Sequence, residues 1–87
     1  MYHIGQFIKI INSNYPSLIV KKMENQDLLV SILEYNGDYC IVNQNSDEIK
    51  LLNLSPPEEL FIISSFGDWF YNQHQFLYNE IIIKNIK

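Results

Sequence analysis

Arginine, alanine and threonine are absent from this 87-residue chain, and cysteine occurs once. Without arginine the chain lacks the planar fork that pairs bidentately with phosphates, carboxylates and guanine edges. Binding to a phosphate backbone also needs clustered positive charge, and among six lysines only Lys21-Lys22 and the pair Lys84 and Lys87 come near a cluster. The single cysteine, Cys40, excludes an intramolecular disulfide and suits a reducing compartment. No apolar run approaches the ~18 residues that span a bilayer, and the start MYHIG lacks the basic end and apolar stretch of a secretory leader. A cytoplasmic protein without a membrane segment is the expectation.

Catalytic patterns are missing as well. The three glycines, Gly5, Gly37 and Gly67, stand too far apart to cradle a phosphate, and none of the serines sits in a G-x-S-x-G elbow. His3, His74 and Cys40 fall short of the four nitrogen or sulfur ligands of structural zinc, so no metal or cofactor is expected. Cys40 alternates within an apolar strand and reads as a small buried hydrophobe rather than a nucleophile. The paired carboxylates Asp47-Glu48 and Glu58-Glu59 fit a solvated loop and a helix start better than acid–base catalysis. The expectation is a protein that is not an enzyme.

Ten acidic residues against six lysines give a net charge of −4. An acidic body suits a basic protein surface, including the positive groove of a nucleic-acid enzyme. Fourteen isoleucines and ten asparagines make up over a quarter of the chain. Together with lysine, tyrosine and phenylalanine these are products of AT-rich codons, which points to an AT-rich bacterial or phage gene.

The length suits a single domain over residues 1–87. Residues 6–11 (QFIKII) and 18–24 (LIVKKME) read as strands separated by the turn cluster NSNYP. Residues 28–35 and 39–43 flank Asn36-Gly37, the dipeptide best suited to a type I′ hairpin turn. With that pair as the loop, Ile32 faces Ile41 and Val30 faces Asn43. One face then carries Leu28, Val30, Ile32, Tyr39 and Ile41, and the other Leu29, Leu33, Tyr35, Cys40 and Val42. Residues 49–54 return to a short apolar segment. Ser55-Pro56-Pro57-Glu58 is a compound helix start, with Ser55 as N-cap and Glu58 closing a capping box, and Gly67 is the expected stop of a helix over 56–66. Residues 69–71 and 76–86 read as a final hairpin. The fold expected is mainly β (α+β): a small SH3-like antiparallel barrel or strongly curled sheet, one short helix and a C-terminal hairpin.

Aromatic residues are concentrated at Phe61, Phe66, Trp69, Phe70, Tyr71, Phe76 and Tyr78, where they are first of all core. Strand alternation cannot bury Trp69, Phe70 and Tyr71 together, so at least one faces out as a contact anchor. With the acidic pairs, this gives Asp47, Glu48, Glu58, Glu59, Asp68, Trp69 and Tyr71 as candidate protein-interface residues. Reversing the charge of Glu58 and Glu59 is expected to weaken binding with little loss of fold.

The strand set followed by IKLLNLSPPEEL and then Phe66-Gly67 resembles small accessory proteins of phages and mobile elements, in which an SH3-like barrel runs into a short helix. The resemblance covers residues 5–67. Leu52 and Asn53 stand where that pattern has a Pro-Ile step, and Phe66-Gly67 reverses its Gly-Phe helix end. Small acidic proteins without catalytic motifs also resemble anti-CRISPR inhibitors, which block RNA-guided nucleases by stoichiometric binding. The resemblance implies a non-enzymatic phage protein that inhibits a host nuclease or its guide-RNA complex. Two other readings stay open: a nucleic-acid-binding SH3-like module using Lys9, Lys21, Lys22 and Lys50 with Tyr35 or Tyr39 as stacking surfaces, and a structural phage protein that self-associates through an exposed strand.

Overall fold

Short segments rich in isoleucine, leucine and valine, each bounded by polar turns, become five strands in the computed structural model, which describes residues 2–33, 38–65 and 68–86. They are β1 (Phe7–Ile10), β2 (Ser17–Lys22), β3 (Asp27–Ile32), β4 (Tyr39–Asn43) and β5 (Ile49–Leu51). All pairings are antiparallel and the order is β4-β3-β2-β1-β5. These strands belong to the first of two compact units, Met1–Asn53, and the second is Leu54–Lys87.

Period-two alternation sorts the sheet into two faces. On one face Ile8, Ile19, Leu28, Val30 and Ile49 form a buried cluster, against which Tyr2, Ile10, Cys40, Val42 and Leu51 pack. On the other, the register aligns Phe7, Leu18 and Ser31, all buried. The edge strands β4 and β5 feed the same cluster but do not pair with each other, so of the two forms expected, a barrel or a strongly curled sheet, the closed barrel is not formed, and the mainly β (α+β) class holds.

The β3–β4 register differs from the expected one. Val30 faces Cys40, Leu28 faces Val42 and Leu29 faces Ile41, three residues away from the pairing that an Asn36-Gly37 loop imposes. An odd shift turns every side chain of one strand to the opposite face. Cys40 and Val42 therefore join Leu28 and Val30 in the core, while Tyr39 and Ile41 lie on the other face, 47% and 57% exposed. The ladder ends with the Ile32 N–H bonded to the Asp38 carbonyl at 2.7 Å. Asn36-Gly37 itself lies outside the described residues.

Paired positive φ angles occur instead between β2 and β3. Asn25 (φ 58°) and Gln26 (φ 64°) are both left-handed, and the Asp27 N–H returns to the Glu24 carbonyl, the arrangement of a type I′ turn. Gln26 occupies a position that glycine takes without steric cost. β4 holds the turn in place: Asn43 Nδ2 donates to the Asn25 carbonyl (3.0 Å) and to Asp27 Oδ1 (2.9 Å), and the Gln44 N–H donates to the Gln26 carbonyl (2.9 Å).

The second unit is helical: α1 (Pro56–Ser64), α2 (Asp68–Gln73) and α3 (Gln75–Ile86). α1 starts where expected; the expected stop at Gly67 lies outside the described residues. The expected C-terminal hairpin is absent, and its two arms are α2 and α3. Aromatic and β-branched residues favour strands only as a weak prior, and the spacing decides against it. Phe70, Leu77 and Ile81 are buried and His74, Tyr78 and Asn85 half-buried, steps of three and four that define one helix stripe. His74 carries the backbone from α2 into α3, its N–H bonded to the Phe70 carbonyl (2.8 Å) and its carbonyl to the Tyr78 N–H (2.9 Å). Among the described residues no helix is long and apolar enough to cross a membrane.

Candidate protein-binding surface

The start of α1 is fixed by its own side chains. Ser55 is the N-cap and Glu58 completes the capping box: the Glu58 carboxylate accepts the Ser55 N–H (3.0 Å) and hydroxyl (2.8 Å), and the Glu58 N–H donates to Ser55 Oγ (3.4 Å). These bonds to Ser55 hold the Glu58 carboxyl below the ordinary glutamate range. Glu59 turns inward, buried, and accepts from Lys84 Nζ at 3.3 Å in an ion pair that joins α1 to α3. At the next residue of α3, Asn85 Nδ2 donates to the Pro56 carbonyl at 3.0 Å. The two carboxylates of the Glu58-Glu59 pair thus serve the fold, and reversing their charge attacks the helix as well as any interface.

Glu59 and Ile63, four residues apart, define the buried side of α1. Phe61 lies on the opposite side of the helix wheel and is 78% exposed. With Leu54, Pro57, Glu58 and Ile62 it lines an open, shallow hollow, apolar apart from the Glu58 carboxylate. Phe61 was not among the expected contact residues. Its signal in the sequence is its offset of two from Glu59 and Ile63, but reading it requires knowing that a glutamate faces inward.

The aromatic run at residues 69–71 divides as a helix dictates. Phe70 is fully buried, Trp69 half-buried and Tyr71 41% exposed. Trp69 meets Phe70 and His74 edge-on, with ring centroids 6.3 and 5.8 Å apart. Tyr71 stands perpendicular to Tyr78 at 5.2 Å, and its hydroxyl accepts from Gln75 Nε2 at 2.7 Å. Asp68 is exposed in the first turn of α2. Burial among these rings lowers the His74 pKa from its ordinary value. Phe76, expected in the core with the other aromatics, is instead 74% exposed.

Asp47 and Glu48 belong to the sheet unit, exposed in the turn before β5; the Glu48 N–H bonds Ser46 Oγ (3.0 Å) and its carbonyl accepts the Ile11 N–H (2.7 Å). Within that unit the lysines do not converge. Lys9 and Lys50 are cross-strand partners near the turn that begins β2, whereas Lys21 and Lys22 end β2. Cys40 is half-buried, and burial raises the pKa of its thiol, which favours the protonated form. No group of three or more His, Cys, Asp or Glu side chains among the described residues could hold a metal ion.

Comparison with known proteins returns no match, whether to a protein-family model, to a curated protein or to a solved structure.

Proposed function

We propose that the chain is a non-enzymatic protein of a phage or mobile element that binds and inhibits a host protein with a basic surface, an RNA-guided nuclease of the CRISPR type, in the bacterial cytoplasm. The observation that carries this reading is Phe61, 78% exposed beside Glu58 in an apolar hollow on α1. An exposed aromatic ring supplies an anchor for a pocket on a partner, and the carboxylate beside it adds charge at the rim. The net charge of −4 adds long-range attraction to a basic groove. A strand order in which β1 lies between β2 and β5 supports reading the sheet as an SH3-like scaffold. Separation of Lys9 and Lys50 from Lys21 and Lys22 weighs against a nucleic-acid module, which needs one continuous basic track.

Affinity capture from a bacterial lysate with the tagged chain, before and after RNase, tests the reading. It predicts one stoichiometric nucleic-acid enzyme that survives RNase, elutes with rising salt and is lost with Phe61→Ser. Recovery that disappears with the RNA would favour the nucleic-acid module. Recovery unchanged by Phe61→Ser would remove the α1 surface from the interface.

A further inference from the structure

The cap of α1 uses only half of the Glu58 carboxylate. Oε1 takes both bonds from Ser55, the N–H at 3.0 Å and the hydroxyl at 2.8 Å. Among the described residues nothing donates to Oε2, and the one ion pair joins Lys84 to Glu59 instead. The capping bonds keep the Glu58 carboxyl ionised at neutral pH and fix its place while it stays exposed. Phe61 follows three residues later, a spacing that sets helical side chains alongside each other. Both line the hollow with Leu54, Pro57 and Ile62.

An occupant of this hollow meets a fixed negative charge and an aromatic ring together. An aliphatic side chain would cover the ring but strip water from an unpaired carboxylate oxygen, which is unfavourable. A lysine ammonium is a compact and strongly hydrated point charge. A guanidinium is planar, stacks on an aromatic face and donates in its own plane to a carboxylate, while its methylene stem covers apolar surface.

Resting on the reading of α1 as the partner-binding surface, we propose that the hollow receives an arginine side chain of the partner protein, stacked on Phe61 and bonded to Glu58 Oε2. The chain contains no arginine, so a second copy cannot supply it. The net charge of −4 likewise favours a basic partner over a like-charged one.

Titration calorimetry of the whole chain with hexa-arginine and with hexalysine, peptides of equal charge, tests the proposal, and amide chemical shifts map the site. Hexa-arginine should bind about two- to fivefold more tightly than hexalysine, with shifts centred on Glu58, Phe61 and Ile62. Phe61→Leu keeps the apolar bulk without the ring and should remove the preference. Glu58→Gln preserves the capping box, which accepts glutamine at that position, and should weaken hexa-arginine toward the hexalysine value. Phe76→Leu, at a ring 74% exposed but outside the hollow, should leave the preference intact. Circular dichroism checks that the variants stay folded. Equal affinity for the two peptides, a preference that survives Phe61→Leu, or one lost as fully with Phe76→Leu would overturn the proposal. The peptides act on the chain alone, so the outcome separates from capture in lysate. No preference alongside Phe61-dependent capture overturns the arginine and keeps the proposed function; a clear preference with no captured enzyme does the reverse.

Discussion

The sheet unit and the helical unit cover their apolar side chains to different degrees. Among the described residues the most exposed large apolar side chain of the sheet unit is Ile41 at 57%, whereas in the helical unit Phe61, Ile86 and Phe76 reach 78%, 77% and 74%. The difference follows from geometry. A strand has two sides, and the cluster around Ile8, Ile19, Leu28, Val30 and Ile49 uses one side of several strands at once. A helix of nine or twelve residues buries a single stripe, Glu59 and Ile63 in α1 and Leu77 and Ile81 in α3, and every apolar residue off that stripe meets solvent. Core formation accounts for the buried apolar residues of the sheet. It does not account for Phe61, and an exposed aromatic with no structural duty is where a contact function is best sought.

The largest test of this contrast sets a sheet residue against a helix residue. Leu28→Ala, at a site with no solvent exposure, should lower unfolding free energy by about 2–5 kcal/mol, while Phe61→Ala should stay within about 0.5 kcal/mol of wild type. Urea denaturation followed by tryptophan fluorescence measures both. A comparable loss at Phe61 would make it a core residue and end the distinction. Next comes Ser55→Ala, which removes the N-cap of α1 and should cost about 0.5–2 kcal/mol; the same melts report it. Gln26→Gly should act in the opposite direction, raising stability by about 0.5–1 kcal/mol by relieving a left-handed non-glycine residue. If it destabilises, the β2–β3 turn is not the type I′ arrangement described.

The smallest expected effect is a pH dependence confined to the helical unit. Burial depresses the folded-state pKa of His74 below that of the unfolded chain. The unfolded chain therefore binds more protons between the two values, so this contribution is complete above about pH 6.5 and is lost as pH falls toward the folded value. His74→Gln should flatten the stability profile of the wild type between about pH 7 and 5, measured by thermal melts in matched buffers. An unchanged slope would assign it to the carboxylates.

How far the sequence could be read divides along the same line. All five strands overlap the segments expected, β2 and β3 each starting one residue early, because polar turn residues bracket each apolar run, and Ser55-Pro56-Pro57-Glu58 marks the start of α1 without ambiguity. The β3–β4 register escaped because Asn36-Gly37 is the better turn dipeptide locally, yet the pairing is three residues away and the paired positive φ angles fall on Asn25-Gln26. Alternation along β4 could not arbitrate, since both of its faces are apolar. In the C-terminal segment composition outweighed spacing: isoleucines 81–83 and the aromatics at 69–71 suggest strands, while the three-and-four steps from Phe70 through His74 and Leu77 to Ile81 require a helix. Of the contact residues expected, Glu58 and Glu59 carry structural bonds that no single-sequence pattern separates from a solvated acidic pair, and Phe61 was hidden by the rule that aromatics fill cores.

The most direct measurement is RNase-resistant capture from lysate with three baits: wild type, Phe61→Ser and Ile41→Lys. If α1 binds the partner, Ile41→Lys, at an exposed site of the sheet unit, retains the same nucleic-acid enzyme as wild type and Phe61→Ser loses it. Equal recovery on all three baits, or none from any bait after RNase, would contradict the assignment of binding to the exposed aromatic surface of the helical unit.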